Sequence, residues 1–446
     1  MKLKKLIGFI LFFFVLIPQF VFADKAPKNL NKIQHIIVIY LENHSFDNLY
    51  GFFPNADGIK DAGHYALQID LDGEPYETLP TVMNGSQVDK RFPDKLANRP
   101  FNINNYIGQN EKIGDLVHRF YQHQMQINQG QMNRFAAVSN AGGLTMGYFD
   151  GKQLPLWQYA KRFTLADHFF QAAFGGSFLN HQWLVCACTP FYENAPDSLK
   201  AELDEKGKLV KDAPLTPDGY AVNTMQPRQK PHNVKEDPKH YLPEQTQPTI
   251  GDKLSEKNIS WAWYAGGWND AAKGKPSKQF QFHHQPFVYF KQYAEGTTAR
   301  TEHLKDETDF LKGIEKGVLP AVSFFKPIGD LTEHPGYADV LSGDQHIADI
   351  LQKIERSRLW KDSVVIVTYD EFGGFWDHVP PPVIDRWGVG NRVPAIIVSP
   401  FAKQGFVDHT VYDTTSILKL IEARFALSSL TERDRNATAL FNALNL

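Results

Sequence analysis

IQHIIVIYLENHSFD, residues 33–47, is the stretch from which the fold is read. Ile36, Ile37, Val38 and Ile39 form an apolar, β-branched run, which predicts a strand buried on both faces. The run ends in a polar cluster: Glu42, Asn43, His44, Ser45 and Asp47. In open α/β sheets, ligands gather just beyond the carboxyl ends of strands. A carboxylate beside an amide oxygen at such a place is a hard-oxygen pair suited to a divalent cation. A second stretch, VVIVTYDE at 364–371, has the same form and ends in Asp370 and Glu371. Two strand ends would then supply four oxygen-bearing side chains, Glu42, Asn43, Asp370 and Glu371, to one cation.

Outward from these two runs, strands and helices alternate. SWAWY (260–264), AVSFFKP (321–327) and VPAIIVSP (393–400) read as short buried strands, and FTLADHFF (163–170) as a strand passing into a loop. Helices are predicted over 111–135, 154–162 (with Pro155 in the first turn), 340–360 and 411–427. In the first of them, Ile113, Leu116, Val117 and Phe120 make the apolar stripe, and His118 lies on or near the inward face. This alternation means an α/β fold around a mostly parallel sheet. Residues 52–110 are rich in Pro, Asn, Gly and Asp and read as a long irregular excursion. Residues 194–250 are polar and read as a capping insertion within a single domain spanning 24–446.

Residues 1–23 stand apart. Lys2, Lys4 and Lys5 precede a nearly continuous apolar run, and Val21-Phe22-Ala23 ends in a small residue. This predicts a signal peptide, with an uncleaved anchor as the alternative. The expected location is therefore the periplasm or the medium. Without the three lysines, the formal charge of −3 becomes −6, which argues against a nucleic-acid binder. The two cysteines, Cys186 and Cys188, are either buried thiols or a strained bridge, because one intervening residue sets their Cα atoms near the limit for bridging.

GGSFLNHQ, 175–182, carries the candidate nucleophile. A glycine pair allows a sharp turn, and a helix opening at Ser177 aims N–H groups at an anion. Serine is a weak nucleophile at neutral pH and needs a base or a metal. Ser177 would serve equally well as a helix cap. His118, His181, His283, His284, His334 and His378 fall in loops or at element ends, and convergence of several would suit an anionic substrate. No HExxH, CxxC, GxxxxGK[ST] or GxSxG occurs.

Four long blocks resemble, in sequence and in order, the bacterial phospholipase C/acid phosphatase phosphoesterases of the alkaline phosphatase superfamily. They are HIIVIYLENHSFDNLYG (35–51), GGSFLNHQ (175–182), YDEFGGFWDHVPPP (369–382) and GNRVPAIIVSPFAKQGFVDHTVYDTTSILKLIEARF (390–425), joined by the weaker HRFYQHQMQINQGQMNRF (118–135). The resemblance implies an alkaline-phosphatase-like sandwich with helices on both faces of the sheet and a metal-assisted hydrolase of phosphoric esters. It implies Ser177 as nucleophile; Glu42, Asn43, Asp370 and Glu371 as metal ligands; and His118, His284 and His334, with His283 beside them, at the phosphate. Glu371 stands where many members carry Asp, and Ser177 where many phospholipase-type members carry Thr. The family's larger members carry extra C-terminal domains that this sequence does not show, which puts in doubt any lipid-surface targeting attributed to those domains.

The expectation is an exported phospholipase C-type enzyme working through a phosphoseryl intermediate. One divalent ion (zinc, calcium, magnesium or manganese) would assist, with transient contact at a membrane surface. A broad acid phosphatase of phosphomonoesters is the alternative, and a non-catalytic phosphate and metal binder is the alternative of another class.

Overall fold

A computed structural model describes residues 26–60 and 66–446. The expected signal peptide, 1–23, lies outside the described residues. Eight strands form the main sheet: β1 His35–Leu41, β2 Thr164–Ala166, β3 Trp261–Ala265, β4 Leu304–Asp306, β5 Val322–Lys326, β6 Ser363–Tyr369, β7 Ala395–Val398 and β8 Phe406–Asp408. Their order is β4-β3-β5-β1-β6-β7-β2-β8. Pairing is parallel throughout, except that β7 runs against both β6 and β2. The expected mostly parallel α/β sheet is therefore observed.

Residues Ile36 to Leu41 are all buried, so both faces of the sheet are covered. Pro155–Arg162 packs with Val340–Arg356, and Ser177–Cys186 packs with Thr414–Phe425. The last helix opens on a reciprocal cap: Asp413 accepts from Thr415 N–H, and Ser416 returns a bond to Asp413 N–H.

Register explains where the chemistry gathers. Leu41 pairs with Tyr369 across β1 and β6, so Glu42 and Asp370 leave the sheet side by side. Ile39 pairs with Phe325 across β1 and β5, which sets Lys326 at the same edge on the other flank of β1. Neighbouring strands lie only about 4.8 Å apart. Three consecutive strand ends therefore deliver their terminal side chains to one small volume.

The helix expected over 111–135 is much shorter. Residues 111–119 are irregular, and helix is confined to Phe120–Ile127 and Phe135–Val138. Asn128 ends the first piece in the left-handed conformation, with φ 45°. Ile113 and Leu116 are still buried, but by tertiary contact rather than along a helical stripe. His118 is thus a loop residue. Residues 194–250 hold only brief strands and 3-10 turns. Cys186 and Cys188 form a disulfide, with Cα atoms 5.1 Å apart. No helix among the described residues is long and apolar enough to cross a membrane.

Candidate active site

The site is built from four carriers: the ends of β1, β5 and β6, and the start of the Ser177–Cys186 helix. Asn43 turns the chain after β1 with φ 67°, a conformation that asparagine tolerates better than most residues. Its backbone N–H donates to Asp370 Oδ1 at 3.3 Å. Gly373, with φ 64°, lets the chain after Glu371 pass against it, since a Cβ there would lie 2.0 Å from Asn43 O. Gly373 N–H donates to Glu371 Oε2 at 2.6 Å and fixes that carboxylate.

Ser177 is the first helical residue, and Gly176 takes the cap position. The serine hydroxyl is therefore not spent on capping. Its Oγ lies 3.3 Å from Asn43 Oδ1 and 3.5 Å from Glu371 Oε1. The loop before it is shaped by Gly175, whose φ of 85° and close approach to Phe120 exclude a side chain.

Glu42, Asn43, Asp370 and Glu371 are all fully buried, and Ser177 is 6% exposed. Burial pushes Glu371 well above its ordinary range, and the Asp370 charge adds to the push. Burial raises Asp370 to about 6, against the opposing effect of Lys326. Burial would raise Glu42 as well, but the facing His284 and Lys326 hold it low. Glu42 Oε1 is 2.5 Å from His284 Nε2 and 3.1 Å from Lys326 Nζ, and its Oε2 accepts from Tyr337 OH at 2.9 Å.

Lys326 escaped the sequence reading. Its ammonium spans Glu42 and Asp370, at 3.1 and 3.5 Å, and donates to Leu41 O at 3.2 Å. The signal was present as a lysine closing the apolar run of AVSFFKP. Its side chain is fully buried. When Glu42, Asp370 and Glu371 are all ionised, they outweigh the Lys326 ammonium by two negative charges, the charge that a divalent cation cancels. The oxygen donors are hard, and Asn43 Oδ1 and Glu371 Oε1 both face Ser177. The residues therefore fit a bound divalent ion at Glu42, Asn43, Asp370 and Glu371.

The expected histidines divide into three groups. His118, His283 and His334 line, with Ser177, a cavity of about 210 Å³ that also includes Arg119 and Tyr337. The His118 and His334 rings lie 5.6 Å apart, and His118 Nε2 is 3.8 Å from Glu371 Oε1. His284 instead sits behind Glu42, stacked on His181 at 5.6 Å. His181 Nδ1 bonds Ser177 O at 2.7 Å. Burial holds His118, His181, His283 and His284 below their ordinary values. His378 lies in a different cluster with Asp47 and Asp57.

A buried hydroxyl among carboxylates, an amide and imidazoles, at the strand ends of an α/β sheet, is the equipment of a hydrolase of phosphoric esters. A profile of the Phosphoesterase family matches residues 33–428, and the chain belongs to that family. Its relatives include the non-hemolytic phospholipase C of Burkholderia pseudomallei, 23% identical over 90% of this chain and 56% of that enzyme. Phospholipase C B of Mycobacterium tuberculosis is 25% identical over 91% of this chain and 75% of its own length. This chain thus spans little more than half of the first and three quarters of the second. Among solved structures, the lipoteichoic acid synthase LtaP of Listeria monocytogenes overlaps 93% of this chain and 79% of its own, with a TM-score of 0.37 and 10% identity.

Proposed function

We propose that this protein is an exported, metal-dependent phosphoesterase acting through Ser177, with phospholipid head-group esters as substrates. The observation that carries the reading is the Ser177 hydroxyl, 3.3 Å from Asn43 Oδ1 and 3.5 Å from Glu371 Oε1, opening onto an imidazole-lined cavity. A divalent ion held by Glu42, Asn43, Asp370 and Glu371 would supply Lewis acidity and neutralise phosphate charge.

The chain's own residues do the rest. Ser177 Oγ attacks phosphorus and gives up its proton to a neutral cavity imidazole, forming the O–P bond of a phosphoserine as the bond to the leaving oxygen breaks. His118, His283 and His334 hold the remaining phosphate oxygens, and an imidazole facing the leaving oxygen returns a proton to the departing alcohol. Water then cleaves the phosphoserine and frees Ser177. Lys326 keeps Glu42 and Asp370 ionised and oriented. Val222, Asn223 and Thr224 of the segment 194–250 border the cavity, which supports a capping role for that segment within one domain.

A second reading, hydrolysis of small phosphomonoesters, is favoured by the cavity itself. Pockets for drug-sized ligands usually run from about 300 to 1,000 Å³, and this one holds about 210 Å³ between Arg119 and the histidines. Relatives named phospholipase C support the first reading. Release of p-nitrophenol from its phosphorylcholine ester, measured against release from its phosphate, separates the two. Ser177→Ala is expected to cut either activity by roughly 10³-fold or more with the fold intact. Near-normal turnover in that variant, or turnover that survives thorough chelation, removes this mechanism.

A further inference from the structure

A second cluster of ligating side chains lies outside the cavity of Ser177. β2 and β8 run parallel, with Ala166 opposite Asp408, so the next residues, Asp167 and His409, emerge together at the sheet edge. His168 follows Asp167. Asp167 is fully buried, and its carboxylate is approached from two sides. His168 Nδ1 is 2.8 Å from Oδ1, and His409 Nδ1 is 2.8 Å from Oδ2. One ligand atom from each of the three residues falls within 4.8 Å of the others. The excursion loop completes the surroundings: Asp57 N–H donates to Asp167 Oδ2 at 2.7 Å, and Asp57 Oδ2 lies 3.2 Å from His168 Nε2.

The hydrogen count at His168 is informative. A neutral imidazole has one N–H, yet carboxylates face both of its nitrogens. A cation on Nδ1 leaves the single N–H on Nε2, which lies 3.2 Å from Asp57 Oδ2. That is the arrangement of metal-bound histidines, whose second nitrogen donates to a carboxylate that fixes the ring. Asp57 is held in turn by His378 Nε2 at 3.1 Å. The His409 side chain is 60% exposed, which leaves the cluster an approach from solvent.

We propose that Asp167, His168 and His409 bind a divalent transition metal of the zinc type, separate from the ion at Glu42, Asn43, Asp370 and Glu371. One carboxylate and two imidazoles suit zinc better than calcium or magnesium, which prefer oxygen alone. The ion ties the 52–60 loop, through Asp57, to the C-terminal edge of β2 and β8.

Zinc binding tests this on full-length, metal-stripped protein. The Glu42→Gln/Asp370→Asn variant, which lacks two ligands of the first site, is dialysed against micromolar free zinc and analysed for bound metal. One equivalent is expected, and it should be lost when His168→Ala and His409→Ala are added. No zinc in the folded double variant, or an equivalent that survives loss of both histidines, overturns the proposal. Should the double variant not fold, the wild type and His409→Ala are compared directly. One equivalent fewer in His409→Ala upholds the site, and equal counts refute it.

Discussion

Lys326 has the largest consequences of any single residue outside the expected set. It sits between Glu42 and Asp370 with its side chain fully buried. Removing one member of a buried charge cluster leaves the others unpaired, at a cost of about 3–5 kcal/mol. Lys326→Met is expected to lose stability of that order in metal-stripped protein, measured by denaturant unfolding. Added divalent cation should restore part of it, because the ion then replaces the lost charge. A variant that is indifferent to cation would mean that Lys326 is not acting through the carboxylates. His378 gives a second residue-scale expectation. Burial presses its pKa down, but the bond to Asp47 and the Asp47 charge win and raise it from 6.5 to about 9. A raised folded pKa gives stability that is complete below pH 6.5 and lost as pH climbs toward 9. The loss amounts to about 3 kcal/mol. His378→Asn should flatten stability across that window, and an unchanged slope would assign the dependence elsewhere.

Among the elements, the turn after β6 is the one where backbone and chemistry meet. Gly373 lies under Asn43 O, with no room for a methyl group. Gly373→Ala should shift Asn43 away from Ser177, lowering kcat by about tenfold or more while KM changes little, with a modest drop in Tm. Equal losses in kcat and Tm-matched controls elsewhere in the loop would argue against so local an effect. The same scale shows what was legible beforehand. β1 and β6 were readable because continuous β-branched runs have few alternatives, and their acidic ends followed in register. The helix expected at 111–135 was misread because Ile113 and Leu116 are buried by distant partners, and periodicity cannot distinguish that from a helical stripe. Lys326 was missed because its meaning depends on which strand lies beside β1, and that order, β5-β1-β6, is set by connections far apart in the chain.

On the scale of the whole molecule, the sheet's carboxyl edge gathers Glu42, Asp370 and Glu371 around a single lysine, Lys326. Asp370 reaches about 6 in the absence of an ion, so loading competes with protons there. Cation affinity should therefore fall as pH drops below about 6, and binding at pH 5 should release protons that calorimetry in buffers of different ionisation enthalpy can count. Binding without proton release would place the ion away from Asp370. Sequence alone could single out Glu42, Asn43, Asp370, Glu371 and Ser177 as candidates, because they lie in long motifs, and the fold brings them side by side. It could not sort the histidines into His118, His283 and His334 at the cavity and His284 behind Glu42. That division depends on side-chain depth, which spacing does not encode.

Every residue of the helix that begins at Ser177 is buried, from the serine itself to Cys186. A rod gripped on all sides neither swings nor tilts, so in the proposed mechanism the Ser177 oxygen would wait at a fixed depth. Substrates would then have to bring phosphorus down to it. Esters whose phosphate stands clear of its carrier on a slender stalk should turn over faster than those in which bulk begins at the neighbouring atom, and lengthening the stalk should raise the rate until the phosphate touches bottom.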